Sequence, residues 1–344
     1  MKVNCPNCGK DYNIPDKRLP AGKKVKFPCP SCKGVIELDL RSQSQDKEGS
    51  VSKTSAEAGD NGSGTEKLKK RILKSVKELP PMPQVVQKAR KVLANPNSSF
   101  KDLAIIFVTD QAIATRVLKM ANSAYYGLSQ RVSSIQQASV VLGHKTLAEL
   151  ITVASTSDLM GNDLKGYGLE AGALWQHSLA VAFGSRLIAK KKNPETSDDA
   201  FAAGLIHDSG KLVLDKYILE KKEAFENYMS NDHQNFLAAE KEILGFDHAE
   251  IASEVCKTWN VPDDVADGIR YHHAPSSATG EELANILHVA DGIAMMSGLG
   301  TGVDALSYEI DEQAIKSLDL KSNEVSKLMD QVVASVNNTL QEFQ

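Results

Sequence analysis

The chain has 344 residues, 42% of them hydrophobic and 24% charged, with a net charge of -4, the proportions of a globular protein with enough apolar material for two or three domains. No apolar run reaches 18 residues and the N-terminus lacks a signal-peptide pattern, which argues against a membrane protein and predicts a cytoplasmic one. The charge is uneven: residues 1–40 hold 8 Lys and Arg against 4 Asp and Glu, leaving 32 against 40 for the remainder, so a basic head precedes an acidic body.

The head carries Cys5-Pro-Asn-Cys8 and Cys29-Pro-Ser-Cys32. Each Cys-x-x-Cys turn brings two thiolates onto one tetrahedral ion, and four thiolates at closed-site spacing predict a structural zinc held by Cys5, Cys8, Cys29 and Cys32. Turn formers at Pro15, Pro20 and Gly22 and a strand-like Lys24-Val-Lys-Phe27 complete a small β module over 1–40, which has too little core to fold without metal. It resembles the short zinc ribbon at the N-terminus of assorted bacterial regulatory proteins. Lys23, Lys24 and Lys26 beside Tyr12 and Phe27 offer either a nucleic-acid surface or, more simply, a solvated basic face. The fifth cysteine, Cys256, reads as a small core residue.

Residues 41–66 are Ser, Gly, Lys, Asp and Glu with almost nothing to bury, a flexible linker. From Leu68 the apolar positions Leu68, Ile72, Leu73 and Val76 fall at helical spacing until Leu79-Pro-Pro-Met-Pro83 ends the helix. Further helices are expected at 84–94, 99–109, 111–122, 134–142, closed by Gly143, and 146–158. Together they make a helical lobe over 67–160 with no chemistry of its own. Asn122-Ser-Ala-Tyr-Tyr-Gly127 reads as a helix C-terminus and not as a ligand site.

The next segment, 161–300, holds the chemistry. His177 lies near the start of a helix over 174–190, and the apolar turn Phe201-Ala-Ala-Gly-Leu-Ile206 leads into His207-Asp208. Adjacent helical residues point about 100° apart, so this pair approaches an ion from two sides or bridges two ions through its carboxylate. Lys211 shares their face; too basic to be a ligand, it suits a phosphate oxygen. His248 opens a helix, His272 and His273 close another, and Asp291 lies in a helix apolar on nearly every face, where a carboxylate needs a positive partner. His288 offers that partner or is a core histidine, the simpler reading being the core; His144 and His233 read as structural histidines and not as ligands. Six of the eight histidines fall within 207–288. The set His177, His207, Asp208, His248, His272, His273 and Asp291 therefore predicts a metal centre, with one or two ions such as iron or manganese. Residues 301–344 add a helical extension whose stripe of Val325, Leu328, Met329, Val332, Val333, Val336 and Leu340 should pack back on the body.

Gly204-Leu-Ile-His-Asp-Ser-Gly-Lys211, with His177 before it and Asp291 after, resembles the HD superfamily of metal-dependent phosphohydrolases. His248, His272 and His273 match the extra ligands of HD-GYP phosphodiesterases, which cleave cyclic di-GMP. A longer resemblance, over about 67–300, is to the HDOD family of bacterial signalling output domains, carried by Leu79-Pro-Pro-Met-Pro83, Asp110, Asn122-Ser-Ala-Tyr-Tyr-Gly127, Ser134-Ile-Gln-Gln-Ala138 and Leu142-Gly143. It implies an all-α main body, an HD-like helical domain plus an N-terminal helical lobe, behind the zinc-ribbon β module. Many HDOD domains have lost the HD ligands, whereas this chain keeps them. The Gly-Tyr-Pro loop is replaced by Ala274-Pro-Ser-Ser-Ala-Thr-Gly280 and the upstream acidic ligand by Ala173, which argues against cyclic di-GMP.

Three readings follow. The first is a regulator with protein partners that binds metal or a nucleotide. The second is an active phosphomonoesterase or phosphodiesterase, with Asp208 orienting a metal-bound water and Lys211 offsetting charge on the phosphoryl oxygens. The third is dioxygen chemistry at a diiron centre. The ribbon adds nucleic acid as an alternative partner, which salt-dependent binding would reveal.

Overall fold

The computed structural model describes residues 2–4, 11–13, 24–28, 35–39, 61–79, 111–123, 126–230, 235–303 and 310–341. It divides into two units, 1–59 and 60–344. In the first, β1 (Lys2–Asn4) pairs antiparallel with β2 (Asp11–Asn13), and β3 (Lys24–Pro28) with β4 (Val35–Asp39), with Lys26 opposite Glu37. The strand expected at Lys24 is β3. In sequence, each cysteine pair falls in the connection of one hairpin; the four cysteines themselves lie outside the described residues, as do the helices expected at 84–94 and 99–109, and His233.

The second unit is helical. Helix α1 (Asn61–Glu78) begins before the first apolar position, through a Gly- and Ser-containing turn whose poor helical propensity hid it from pattern reading. Leu68, Ile72 and Val76 are buried as expected. Its side chains meet the second lobe. Ser75 Oγ lies 2.7 Å from Tyr217 OH, and Arg71 pairs with Glu220 at 3.1 Å. The first lobe contributes α2 (Gln111–Ala121) and α3 (Ile135–Met160), which pack together. Ser134 caps α3 by accepting from Gln137 N, and Gly143, at φ 81° and ψ 164°, breaks it where two helices were expected. The Asn122 side chain closes the following corner: its Nδ2 donates to Leu118 O and Val132 O, and its Oδ1 accepts from Val132 N.

The second lobe is wound around α4 (Ala173–Lys192), which packs against α5 (Ser197–Ile206) after a 3-10 turn at Pro194–Thr196. There follow α6 (Gly210–Glu220), α7 (Lys222–Met229), α8 (Phe236–Leu244), α9 (His248–Thr258), α10 (Asp263–Arg270) and α11 (Glu281–Met296). Apolar all round, α11 is buried along its whole centre, and Cys256 is a core residue. The extension forms α12 (Glu312–Ser317) and α13 (Ser322–Gln341); α13 packs on α4 and α11, with Val332 and Val336 fully buried and Lys191 pairing with Glu324 at 2.6 Å. The lobes are tied by a buried ion pair between Glu149 of α3 and Arg186 of α4, whose guanidinium stacks 3.8 Å from the Phe201 ring centroid. No helix among the described residues is long and apolar enough to cross a membrane.

Candidate metal centre

Five segments of the second lobe deliver the predicted donors to one point. His177 comes from the first turns of α4, His207 and Asp208 from the step between α5 and α6, His248 from the first residue of α9, His272 and His273 from the turn after α10, and Asp291 from the middle of α11. The step is tight because of Gly210: a Cβ there would lie 1.9 Å from His248 O and 2.8 Å from Ala252 N, so α6 and α9 meet backbone to backbone. At the start of α9, Asp247 accepts from Glu250 N at 2.7 Å and Glu250 accepts in return from Asp247 N at 3.2 Å, a reciprocal cap that fixes where His248 emerges.

The donors form three overlapping triads: His177, His207 and Asp208; His207, His272 and Asp291; and His248, His272 and His273. Within each, the ligand atoms lie within 4.8 Å of one another. Asp208 faces two ways. Its Oδ2 stands 3.4 Å from His207 Nε2 and 3.6 Å from His177 Nε2, while its Oδ1 stands 3.3 Å from His248 Nε2. Asp291 Oδ1 is 3.0 Å from His177 Nε2. Bonds of about 2.0–2.2 Å from a transition ion to nitrogen or oxygen put neighbouring donors roughly 3.0–3.6 Å apart, so these separations fit shared ions.

The ring orientations fit as well. His177 Nδ1 lies 3.2 Å from Leu299 O, His207 Nδ1 2.7 Å from Gly204 O, and His272 Nδ1 2.7 Å from Ile269 O. A carbonyl only accepts, so each Nδ1 carries the proton and each Nε2 presents a lone pair to the centre. Those Nε2 atoms and Asp208 Oδ1 are buried without a hydrogen bond; Asp208 Oδ2 and Asp291 Oδ1 also lack one, though each faces an ion partner, Lys211 and His177. A buried polar atom left so costs about 1–3 kcal/mol, and several at one point are what a bound cation offsets. The donor set, nitrogen and carboxylate without thiolate, suits iron, manganese, cobalt, nickel or zinc.

Burial would raise the Asp208 carboxyl, yet His207, Lys211 and His248 hold it well below the carboxylate range. Asp291 is likewise lowered, burial being outweighed by His177 and His207. Burial pushes His272 down to about 3, helped by His207. It also lowers His207, against the pull of Asp208 and Asp291, and it lowers His273 together with the charges of His272 and His248. Two rings go the other way: burial is overcome by Asp291 at His177, and by Glu240 and Asp208 at His248, which is held at about 9.

Other expectations meet a different arrangement. Lys211, expected to face phosphate, is buried with its ammonium 2.7 Å from Asp208 Oδ2 and 5.5 Å from the Tyr167 ring centroid; with the carboxylate so near, the ion pair wins. His288 is not the partner of Asp291, a role His177 fills. Its Nδ1 donates to His272 O and its Nε2 accepts from Asp311 N, so it joins the centre's outer wall to the extension. His144 is exposed. Sequence reading missed Tyr167, Glu240 and the Leu299 carbonyl. A backbone carbonyl leaves no sequence signal, but Glu240 does: it falls on the stripe of Phe236, Ala239 and Leu244, a carboxylate where the period demands an apolar residue.

Residues 79–275 match the HDOD domain family and residues 1–37 a zinc-ribbon domain. The chain belongs to the HDOD family. An HDOD domain protein of unknown function from Geobacter sulfurreducens is 23% identical with a TM-score of 0.62, covering 82% of this chain and 96% of that one. A candidate phosphohydrolase from Shewanella amazonensis is 23% identical with a TM-score of 0.59, covering 79% and 98%. A candidate metal-dependent phosphohydrolase from the same organism is 20% identical with a TM-score of 0.53, covering 80% and 99%. These likenesses establish the all-α fold. An uncharacterized protein of Treponema pallidum is 24% identical over 210 residues, and the chain spans 40% of that relative's length.

Proposed function

We propose that this HDOD protein is a bacterial signalling regulator whose HD-like lobe holds one or two transition-metal ions and whose N-terminal ribbon holds zinc and docks a protein partner. The observation that carries the reading is the convergence of buried nitrogen and carboxylate donors from His177, His207, Asp208, His272 and Asp291, several of them without a hydrogen bond, in a centre that burial all but closes; among the donors only His273 is partly exposed. His177, His207, Asp208 and Asp291 would hold the first ion, and His248, His272 and His273 with Asp208 the second. The test is elemental analysis of the full chain, purified without oxygen or added metal, beside His207→Ala/Asp208→Ala. One zinc should remain in the variant, and one or two further equivalents should be present in the parent alone. Equal metal in both would sink the reading.

A second reading, a phosphomonoesterase or phosphodiesterase, is favoured by Asp208, whose two oxygens face the two donor groups, and by Lys211 beside it. The ions, when bound, would supply hydroxide at neutral pH by lowering the pKa of bound water. Asp208 would orient that water, and Lys211, released from Asp208, would offset charge on the phosphoryl oxygens. The sequence after His273 leaves cyclic di-GMP the least favoured substrate. Turnover of p-nitrophenyl phosphate or its diester by the parent, absent from the double variant, would support this reading; no turnover by the metal-loaded parent would leave the regulator. Binding of the basic ribbon to nucleic acid would show as an affinity falling steeply with salt, whereas salt-insensitive binding lost on ribbon deletion marks a protein partner.

A further inference from the structure

Three of the centre's rings are oriented by backbone carbonyls, but His248 is oriented by a carboxylate. Its Nδ1 lies 2.9 Å from Glu240 Oε2 and 3.2 Å from Oε1. The same Oε2 accepts from the His248 backbone N–H at 2.9 Å, and Oε1 accepts the Tyr167 hydroxyl at 2.5 Å. Glu240 is fully buried. Burying a carboxylate costs several kcal/mol unless its charge is used, and helix capping does not use it: Asp247 and Glu250 already cap α9. Capping also leaves the bond to Nδ1 unexplained.

We infer that Glu240, anchored by Tyr167, is a positioning residue for the metal group formed by His248, His272 and His273, and that the two halves of the centre therefore load unequally. The inference rests on the metal reading above. A carboxylate on the far nitrogen of a ligating imidazole fixes its tautomer, locks the ring plane and strengthens the near nitrogen as a donor. Here that near nitrogen, His248 Nε2, lies 2.8 Å from His273 Nε2. A separation that short suits two donors to one ion, so the ring plane that Glu240 fixes for His248 decides whether the two rings can share it. The group of His177, His207 and Asp208 owes its ring orientations to Leu299 O and Gly204 O, so it should not feel Glu240 through the rings.

The experiment is Mn2+ titration of the chelator-treated full chain, counting bound ion by loss of the free Mn2+ resonance in electron paramagnetic resonance, for wild type, Glu240→Gln, Tyr167→Phe and His248→Ala. Glutamine can keep its amide oxygen toward His248 and its NH2 toward the Tyr167 oxygen, so it removes charge with little change of shape. Wild type should bind two ions and show the spin-coupled signal of a bridged pair. At pH 9.5, Glu240→Gln should bind the first with wild-type affinity and the second about 10–100-fold more weakly, giving an uncoupled six-line signal at one equivalent. His248→Ala should show the same split, and Tyr167→Phe, which keeps the charge and loses the anchor, a smaller weakening of the second ion alone. A Glu240→Gln protein that loads both ions as wild type does, or loses both in parallel while still folded by circular dichroism, overturns the inference. Should that variant fail to fold, Tyr167→Phe with unchanged or evenly weakened loading overturns it. Wild type that takes up no Mn2+, Fe2+ or Co2+ overturns the metal reading itself.

Discussion

Metal loading should depend on pH chiefly through His248. His248 is held at about 9, so at pH 7 the metal-free protein carries it as imidazolium. A metal ligand must be neutral, so the ion that touches His248 has to expel that proton. Its apparent affinity should rise about tenfold per pH unit from 7 and level off above 9; the two units separating neutrality from 9 amount to about 2.7 kcal/mol at about 1.36 kcal/mol per unit. His207, His272 and His273 are lowered and Asp208 and Asp291 are lowered carboxyls, so none of them adds a proton near neutrality. His177 is raised, which gives the first ion a pH dependence of the same sign. Stability has the opposite sign in the metal-free chain. A histidine raised from 6.5 to about 9 contributes stability that is whole below 6.5 and lost as pH rises through 9, up to about 3.4 kcal/mol from this ring. Metal-free protein should therefore melt at a lower temperature at pH 9 than at pH 7, while saturated protein should not. The assay is Mn2+ titration between pH 6.5 and 9.5, with proton release measured by calorimetry in buffers of different ionisation enthalpy. An affinity flat from pH 7 to 9, with no proton released at pH 7, would refute the argument; Glu240→Gln should flatten it by design.

The remaining predictions concern the frame. Arg186→Ala leaves Glu149 as a buried charge without its partner and should cost about 3–5 kcal/mol in urea unfolding, whereas Arg186→Met with Glu149→Leu should recover most of it; a single variant within about 1 kcal/mol of wild type would show that the pair does not tie the lobes. Gly210→Ala drives a Cβ into His248 O, so α6 and α9 must part, with a stability loss of about 1–3 kcal/mol and a drop in bound metal read by elemental analysis. A wild-type melting temperature and metal content would refute the close approach. Cys29→Ser/Cys32→Ser should remove one zinc and leave the metal count of the helical body unchanged, as separate units require.

The candidate donors could be picked out because metal chemistry restricts ligands to a few residue types, and the structure brings those residues to one point. Helix α11 was legible because a stretch that long and apolar on nearly every face must be a buried helix. The departures share another cause: they concern what a side chain meets across the fold. Lys211 is the clearest case. Its spacing from His207 and Asp208 correctly placed it on their face, but spacing says nothing about depth, and at depth an ammonium beside a carboxylate pairs with it. Glu240 is the complementary case, a residue whose type contradicts its helical position; such a contradiction in a buried stripe is a signal to seek a partner, here His248.

Depth also bears on which reading of the centre is right. His177, His207, Asp208, His248, His272 and Asp291 are each at most 3% exposed, so a phosphoester in solution meets none of them directly. The half-exposed donor is His273, in the turn between α10 and the Pro275–Ser277 3-10 turn, where the HD-GYP enzymes carry Gly-Tyr-Pro and this chain does not. Hydrolysis therefore requires that turn to yield, and with it the Asp208–Lys211 pair that a substrate phosphate would have to replace. A regulator requires neither: an ion binding from the His273 side would tighten α4, α6, α9, α10 and α11 around one point, and His288, bonded to His272 O and Asp311 N, would pass that constraint to the C-terminal helices. The same geometry that makes catalysis conditional makes metal occupancy a stability signal, measurable as a melting temperature that rises with Mn2+ in wild type and not in His207→Ala/Asp208→Ala.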